Sequence, residues 1–301
     1  MLTQYVTVAS LQPSTVLNNM KTVTQVYELR AAIAEARAAG KRIGFVPTMG
    51  NLHQGHLNLL NTAREQTDFV VASIFVNPLQ FNVKDDLERY PRTLAEDQKS
   101  LTEYGCDLLF APSESDIYPS DRAKQTFVEV PEISQMYCGA SRPGHFRGVT
   151  TIVNKLFNLV QPDLAVFGKK DFQQLHIIRR MVADLSMSVE LIGVETARAK
   201  SGLALSSRNG YLTADELKRA PVLYAQLRAI RDALVGGSSD FEGLIKQANE
   251  SLERESFKPD YVHIVRRSDL LPATKADSEL VILAAAYLGK ARLIDNLEVD
   301  C

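Results

Sequence analysis

Short apolar runs alternate with segments of helical periodicity through the first two thirds of the chain. The runs predict buried strands, and apolar residues three and four positions apart predict amphipathic helices between them. The predicted strands are 43–46, 69–76, 107–111, 164–167 and 189–194. The predicted helices are 55–67, 94–104, 149–160 and 171–185, preceded by one that begins at Met20-Lys21. This alternation favours an α/β fold with a doubly wound parallel sheet, whose ligands bind at the carboxyl ends of the strands.

The pattern changes beyond about residue 195. Two predicted helices, 213–235 and 240–256, are followed by predicted strands at 260–265, 279–287 and 291–297. The sequence Gly236-Gly237-Ser238-Ser239 separates the helices, and Leu288-Gly289-Lys290 predicts a hairpin turn between the last two strands. We therefore expect an N-terminal extension over residues 1–19, an α/β domain over residues 20–195 and a smaller C-terminal α+β lid domain over residues 196–301.

The composition is that of an ordinary globular protein. Hydrophobic residues make up 45% and charged residues 23% of the 301 residues, a length sufficient for two domains. A net charge of -2 does not indicate a nucleic-acid or membrane partner. No apolar run approaches the roughly 20 residues that span a bilayer. An export signal would begin with basic residues, whereas the first Lys or Arg of this chain is Lys21. Since three scattered cysteines suit a reducing compartment, we expect a cytoplasmic protein.

A His-x-Gly-His sequence, His53-Gln54-Gly55-His56, lies where the first predicted strand gives way to a helix. At a helix N-terminus, unpaired backbone N–H groups and the helix dipole attract an anion, and Gly55 leaves the backbone open to a phosphate. Two alternatives are half of a metal site and simple helix capping. A metal site needs a third ligand at suitable spacing, whereas the other histidines, His145, His176 and His263, are isolated. The strand, loop and glycine context favours nucleotide binding.

Three further polar clusters follow predicted strands. Asn77 and Gln80 end the second strand, where their amides fix a polar ligand or, as Asn-Pro commonly does, only start a turn. Lys169, Lys170 and Asp171 open a helix, where the lysines are either ligand contacts or solvated and Asp171 is a possible N-cap. The third cluster, Gly202-Leu203-Ala204-Leu205-Ser206-Ser207-Arg208-Asn209, lies at the start of the second domain and is either suited to hold phosphate oxygens and close over a ligand or an ordinary serine-containing loop.

A basic, glycine-rich segment, Ser141-Arg142-Pro143-Gly144-His145-Phe146-Arg147-Gly148, precedes a predicted helix. From the residues alone it either contacts an anionic group or is an exposed loop.

Together, the segments PTMGNLHQGH, FVNPLQF, RYPRT, RPGHFRGV, GKKDFQQL and LALSSRNGYL resemble the pantothenate synthetase, or pantoate–β-alanine ligase, family of coenzyme A precursor synthesis. The likeness runs in order from about residue 20 to residue 297. It implies a Rossmann-like sheet of the HIGH-superfamily nucleotidyltransferase type, a homodimer, and ATP, pantoate and β-alanine as small-molecule substrates. Pantoate's carboxylate would attack the α-phosphate of ATP to give pantoyl adenylate and pyrophosphate. β-Alanine would then attack the acyl carbon and release AMP.

The resemblance also assigns roles to residues of this chain. His56 corresponds to the family's proton donor, and His53 and Lys170 are the further catalytic candidates. The implied ATP contacts are Met49, Gly50, Asn51, Leu52, His53, Gln54, Gly55, His56, Gly168, Lys169, Lys170, Asp171, Ala197, Leu205, Ser206, Ser207 and Arg208. The implied pantoate contacts are Pro47, Met49, Gln80 and Gln174, and Gln80 also borders β-alanine. Glu96, of the pair Glu96-Asp97, is the candidate carboxylate for Mg²⁺, which would be coordinated mainly by the ATP phosphates.

Two positions depart from the family pattern. Lys169 stands where the family commonly has Glu, and is expected to add positive charge beside the nucleotide. Leu205 stands where many members have Met, a swap of similar volume.

Three other classes of protein remain as alternatives. A nucleotidyltransferase shares the His-x-Gly-His sequence, but its phosphorylated acceptor would favour Arg or Lys over the two Gln residues. A tRNA synthetase would need a tRNA-binding appendage, and a nucleotide-sensing module would need no Gln pair.

Overall fold

Two sheets organise the chain in a computed structural model that describes residues 20–81, 84–120 and 122–301. The expected extension over residues 1–19 lies outside the described residues. The strands of the larger sheet are β1 Lys21–Val23, β2 Ile43–Thr48, β3 Phe69–Ile74, β4 Leu108–Phe110, β5 Leu164–Gly168 and β6 Glu190–Val194. All neighbouring strands are parallel, in the order β1-β4-β3-β2-β5-β6. From β2 the chain adds β3 and β4 on one side and β5 and β6 on the other, so the doubly wound prediction is confirmed.

Helices cover both faces of this sheet. They are α1 Val26–Ala38, α2 Gln54–Gln66, α3 Lys84–Arg89, α4 Leu94–Glu103, α5 Glu114–Ile117, α6 Cys138–Ser141, α7 His145–Val160 and α8 Phe172–Asp184. Successive residues of β2 point to opposite faces. Phe45 meets Phe157 of α7 edge to face, whereas Val46 lies in the cluster with Leu59 and Leu60 of α2. Each such fully buried side chain stabilises the fold by about 1.5–3 kcal/mol.

The prediction of a helix from Met20-Lys21 is wrong at its start, because Lys21–Val23 is a strand at the sheet edge. The Lys21 backbone N–H donates to Asp107 O at 3.1 Å, and Val23 is buried at 2% exposure. The β-branched pair Thr22-Val23 suits this extended conformation. The helix itself begins at Val26.

The C-terminal part is a three-stranded antiparallel sheet with helices, as predicted. Its elements are α9 Ala214–Arg219, α10 Val222–Val235, α11 Phe241–Arg254, β7 Phe257–Arg266, β8 Glu279–Leu288 and β9 Ala291–Asp300. The strand order is β7-β8-β9, and the turn at Gly289-Lys290 joins β8 to β9. The single helix predicted over 213–235 is two helices, because Pro221 lacks the N–H that a continuous helix would use.

The smaller sheet contributes to two cores. One face, with Ile282 and Ala284, packs against a cluster that includes Leu227 of α10 and Leu252 of α11. Val281 and Leu283, from the opposite face, belong to the core of the larger sheet. The domain boundary at residues 195–196 and the role of the C-terminal part as a lid stay predictions. Strands β8 and β9 pack directly against the core of the larger sheet. None of the helices in the described ranges is apolar over a length that would cross a bilayer.

Candidate active site at the switch point of the sheet

The polar loops meet around the carboxyl ends of β2, β3, β5 and β6. They enclose a cavity of about 230 Å³. Of the residues expected at the site, those that line it are Pro47, Met49, His53, Gly55, His56, Gln80, Gly168, Lys170, Asp171, Gln174, Ala197, Leu205, Ser206, Ser207 and Arg208. This is the place where strand order reverses on either side of β2, as expected for a doubly wound sheet.

A second cavity of about 490 Å³ adjoins the first and extends to the C-terminal sheet. The two share Arg142, His145, Lys170, Asp171, Gln174 and Arg208 as walls. The shared wall therefore carries three cationic side chains, one carboxylate and one amide.

Two imidazoles organise the start of α2. The Gly55 backbone N–H donates to His53 Nδ1 at 3.1 Å, and the His53 backbone N–H donates to His56 Nδ1 at 3.3 Å. The ring centroids lie 4.1 Å apart. Because each Nδ1 accepts a hydrogen bond, each ring carries its proton on Nε2. Capping and ligand binding are thus compatible, since the capped rings also line the cavity.

Burial keeps both imidazoles uncharged at neutral pH. It lowers the pKa of His53 to about 4, with further lowering by the Lys170 ammonium and an opposing effect of Asp171. It lowers the pKa of His56 to about 3, with His53 as the next cause. The two residues therefore offer neutral Nε2–H donors. The role of His56 as a proton donor stays a prediction, and its low pKa favours a hydrogen bond from a neutral ring.

The lack of a side chain at Gly55 leaves room for the His53 ring itself, and not only for a ligand. A Cβ added to Gly55 would lie 2.9 Å from His53 Cε1 and 3.0 Å from His53 Nδ1. Such contacts are too short for carbon, so any larger residue would displace the His53 ring.

The loop between β2 and α2 is held by Asp97 of α4. The backbone N–H groups of Asn51 and Leu52 donate to its two carboxylate oxygens at 2.9 and 2.8 Å. Asp97 is buried at 3% exposure, whereas the neighbouring Glu96 is exposed. Glu96 does not line either cavity. The structure therefore does not bring Glu96 to the site, and Asp97, the other member of the candidate pair, supports the loop after β2.

Gln80 projects into the cavity from a short 3-10 helix, Pro78–Gln80, which Asn77 caps. Asn77 Nδ2 donates to Gln80 Oε1 at 3.0 Å, and Tyr118 Oη donates to Asn77 Oδ1 at 2.8 Å. Since its oxygen is occupied, Gln80 presents Nε2, which donates to Met49 Sδ at 3.1 Å. The segment forms an Asn77-capped turn and also lines the cavity, and its role in ligand binding stays a prediction.

The basic segment 141–148 is not an ordinary exposed loop. His145 is buried, and its Nδ1 lies 2.8 Å from Gln80 O, to which Arg142 Nη2 also donates at 3.1 Å. Burial, together with Arg142, lowers the pKa of His145 to about 3. The neutral ring therefore donates from Nδ1 to Gln80 and accepts at Nε2 from Arg142, 3.2 Å away. A cation and a histidine in a glycine-rich loop before a helix were the available signal for this support of Gln80.

The Gln173-Gln174 pair divides into a structural and a cavity-lining residue. Gln173 is buried, accepts from the Cys138 backbone N–H at 3.1 Å and donates to Ile133 O and Met136 O. Gln174 lines both cavities, and its contact with pantoate stays a prediction.

The two lysines of the turn Lys169–Asp171 also differ. Lys169 Nζ forms ion pairs with Glu195 and with Glu298 of β9, the latter at 2.7 Å, and does not line the cavity. The expectation that Lys169 adds positive charge beside the nucleotide is therefore wrong, because two carboxylates neutralise it. Lys170 lines both cavities and is close enough to lower the pKa of His53.

Asp171 is the carboxylate beside Lys170. Burial alone would raise its pKa, but Lys170 and Arg208 outweigh that effect, and the net shift lowers the pKa. Asp171 is consequently ionised at neutral pH and offsets one of the two positive charges of Lys170 and Arg208.

The serine loop, residues 202–211, closes one side of the cavity. Ser207 Oγ donates to Asn51 O at 3.2 Å, which ties this loop to the one after β2. Ser206 Oγ accepts from the Arg208 backbone N–H at 3.2 Å. Tyr211 Oη donates to Arg89 O at 3.4 Å, so the RYPRT segment supports the same loop.

The interpretation of His53 and His56 as half of a metal site lacks a third ligand among the described residues. Across residues 20–81, 84–120 and 122–301, no three His, Cys, Asp or Glu side chains converge as ligands for an ion.

A helix N-terminus that presents two imidazole donors at the switch point of a doubly wound sheet is an arrangement typical of nucleotide-binding enzymes. The sequence profile of one family, described as Pantoate-beta-alanine ligase, matches residues 21–298. The chain belongs to this family, and it is a ligase.

Relatives of known name and structure agree. The chain is 61% identical over 281 residues to a pantothenate synthetase of Stutzerimonas stutzeri (strain A1501), covering 93% of this chain and 98% of that protein. The crystal structure of pantothenate synthetase from Thermus thermophilus matches with a TM-score of 0.87 at 48% identity, covering 94% of this chain and 100% of that one. The Francisella tularensis pantoate-beta-alanine ligase, complexed with beta-gamma ATP and beta-alanine, matches with a TM-score of 0.76 at 35% identity, covering 92% and 97%.

We predict that His56→Ala and His53→Ala lower the rate of adenylate formation by about 100- to 1,000-fold, the typical cost of losing a donor to a developing oxyanion. Because both rings are already neutral, the wild-type rate should show no ionisation of His53 or His56 between pH 6 and 8. Steady-state kinetics across that range measure both effects. Near-normal turnover of a folded His56→Ala variant would remove His56 from the chemistry.

The two lysines provide a matched pair of variants. Lys170→Ala should lower adenylate formation by about 100-fold or more, whereas Lys169→Gln should keep most of the activity, since Lys169 meets carboxylates and not the cavity. Initial rates at saturating substrates compare them. The reverse ranking would mean that the roles of the two residues are exchanged.

Proposed function

We propose that this protein condenses (R)-pantoate with β-alanine at the expense of ATP, through a pantoyl adenylate, and releases AMP and pyrophosphate. One observation carries the proposal. Neutral amides, suited to a hydroxylated acid, share a single cavity with the imidazole and cationic donors suited to phosphate. The product is pantothenate, vitamin B5, a precursor of coenzyme A.

In the first step the carboxylate of pantoate attacks the α-phosphate, and pyrophosphate leaves. Negative charge increases on the phosphate oxygens, so catalysis consists mainly of positioning and charge stabilisation. The Nε2–H groups of His53 and His56, the Lys170 ammonium and the Arg208 guanidinium all border the same space. Ser206 and Ser207, on the same loop as Arg208, add hydroxyl groups to the cavity wall.

Gln80 and Gln174 are proposed to hold pantoate. The Gln80 amide is oriented by Asn77 so that its N–H₂ group is available at the cavity wall. An N–H donor suits a carboxylate or hydroxyl oxygen, and a neutral amide does so without competing for the phosphates. Pro47 and Met49 supply the apolar wall beside it.

In the second step the free amine of β-alanine attacks the acyl carbon, the C–N bond forms and AMP leaves with the C–O bond electrons. The mixed anhydride must be protected from water until then. The serine loop, tied to Asn51 by Ser207, is the proposed closing element.

We propose that Mg²⁺ binds together with ATP. The carboxylates that line the catalytic cavity are Asp171 and Glu195, and Glu195 is paired with Lys169. Mg²⁺ commonly takes one or two carboxylates together with phosphates and water, so Asp171 fits this role and the exposed Glu96 does not. When bound, the ion would neutralise phosphate charge.

We further propose a cytoplasmic homodimer, as the family resemblance implies. Cys106, Cys138 and Cys301 are all free thiols, which suits a reducing compartment. Sedimentation equilibrium tests the dimer against a chain mass of 33.4 kDa.

The acid-binding role of the amides is tested by Gln80→Ala and Gln174→Ala. Each should raise the KM for pantoate by about 10-fold or more with little change in the KM for ATP, since a lost hydrogen bond to a charged group costs about 1.5–3 kcal/mol. Gln98→Ala, on α4 and outside both cavities, is the control. Equal weakening of ATP and pantoate would place these amides outside the pantoate site.

The adenylate itself is tested by isotope exchange. Labelled pyrophosphate should enter ATP in the presence of pantoate and Mg²⁺ without β-alanine, because the first step is reversible alone. A nucleotidyltransferase would require its phosphorylated acceptor, and a sensing module would show no exchange. If exchange fails where the full reaction proceeds, the carboxylate is activated by another route.

A further inference from the structure

Strand β9 of the smaller sheet runs beside the turn that presents Lys170. Asn296 of this strand is buried at 7% exposure. Its single amide nitrogen donates to both Lys169 O and Lys170 O, each at 2.9 Å. Two successive backbone carbonyls are therefore fixed by the two N–H bonds of one side chain, and with them the direction in which Lys170 leaves the backbone.

The preceding residue of β9 anchors the other catalytic loop. Asp295 accepts from Arg198 Nη1 and Nη2 at 2.6 and 2.8 Å, and its carboxylate is 3% exposed. The Arg198 guanidinium lies 3.5 Å from the centre of the Tyr224 ring. Arg198 also pairs with Ala204 in an isolated β-bridge, at the base of the loop that ends in Ser206 and Arg208.

The two anchors are connected to each other. The Asn296 backbone N–H donates to Asp295 Oδ1 at 2.8 Å, so the carboxylate that holds Arg198 is itself set by the backbone of Asn296. Adjacent residues of one strand thus locate the Lys170 turn and the serine loop relative to each other.

We propose that Asn296 is a positioning residue for adenylate formation, which it serves by fixing the Lys170 turn in register with the serine loop. The inference rests on the proposed function. Asparagine suits the position because it supplies two donors from one atom. An aspartate of the same size would offer only acceptors to two carbonyl oxygens, and an alanine would leave both carbonyls without this partner.

The first test is Asn296→Ala, measured as pantoate-dependent exchange of pyrophosphate into ATP. Displacement of a catalytic group by about 1 Å costs on the order of 100-fold, so the maximal exchange rate should fall by about 10- to 100-fold. The KM for pantoate should remain within about twofold, since Asn296 borders the 490 Å³ cavity and not the 230 Å³ cavity into which Gln80 projects. Asn249→Ala, the same substitution on α11 of the same sheet-and-helix unit, should leave the exchange rate unchanged.

The second test separates positioning from general support of the fold. If Asn296 acts through Lys170, then Asn296→Ala should have little further effect in a Lys170→Ala background, within about twofold. Effects that multiply would show that Asn296 acts by another route and would overturn the proposal. Should Asn296→Ala fail to fold, Asn296→Asp keeps the volume while removing both donors and gives the same comparison.

The outcomes distinguish this proposal from the proposed function. Absence of pantoate-dependent exchange in the wild-type protein would contradict the function itself. Normal exchange in the wild type and an equal rate in folded Asn296→Ala would contradict only the role of Asn296.

Discussion

The first turn of α2 sets the conditions for the rest of the site. Its leading backbone N–H groups are capped by the Nδ1 atoms of His53 and His56, so each ring has only Nε2–H left to offer a ligand. Burial then keeps both rings neutral. A pair of neutral donors cannot by itself balance a triphosphate. The positive charge must come from other loops, and the structure supplies it through Lys170 and Arg208 on the shared wall of the two cavities.

The same constraint explains why a carboxylate belongs among these cations. Lys170 and Arg208 lie close enough to Asp171 to hold its pKa below the usual value despite burial. In the free enzyme, Asp171 balances charges that would otherwise repel each other in a low-dielectric cleft. When a triphosphate arrives, that carboxylate becomes an additional negative charge. A divalent cation arriving with the nucleotide relieves this conflict, which is the physical argument for magnesium on the phosphates beside Asp171.

Sequence reasoning located the strands and the loops that follow them, because buried parallel strands are nearly continuous apolar runs and their carboxyl ends meet at one edge. It placed His53, His56, Lys170 and Gln174 on elements that do converge. The residue pattern alone did not separate Lys169 from Lys170, or Gln173 from Gln174; the family resemblance singled out Lys170 and Gln174. Adjacent residues in a turn or a helix point in different directions, and tertiary packing decides which one lines the cavity. The loop-supporting roles of Asp97, named only as part of a magnesium candidate pair, and of Asn296 were missed for the same reason, since both residues lie far along the chain from the loops they hold.

The C-terminal sheet supports the site and is poorly suited to swing away from it. Val281 and Leu283 on one of its faces lie in the core of the larger sheet, and exposing each would cost about 1.5–3 kcal/mol. Its edge strand β9 also holds the Lys170 turn through Asn296. The serine loop, by contrast, meets the loop after β2 through the hydrogen bond from Ser207 to Asn51. That hydrogen bond is worth only about 0.5–1.5 kcal/mol, so the tip of the serine loop can separate from Asn51 at a lower cost than the sheet can leave the core, while Arg198 and Asp295 hold the base of the loop.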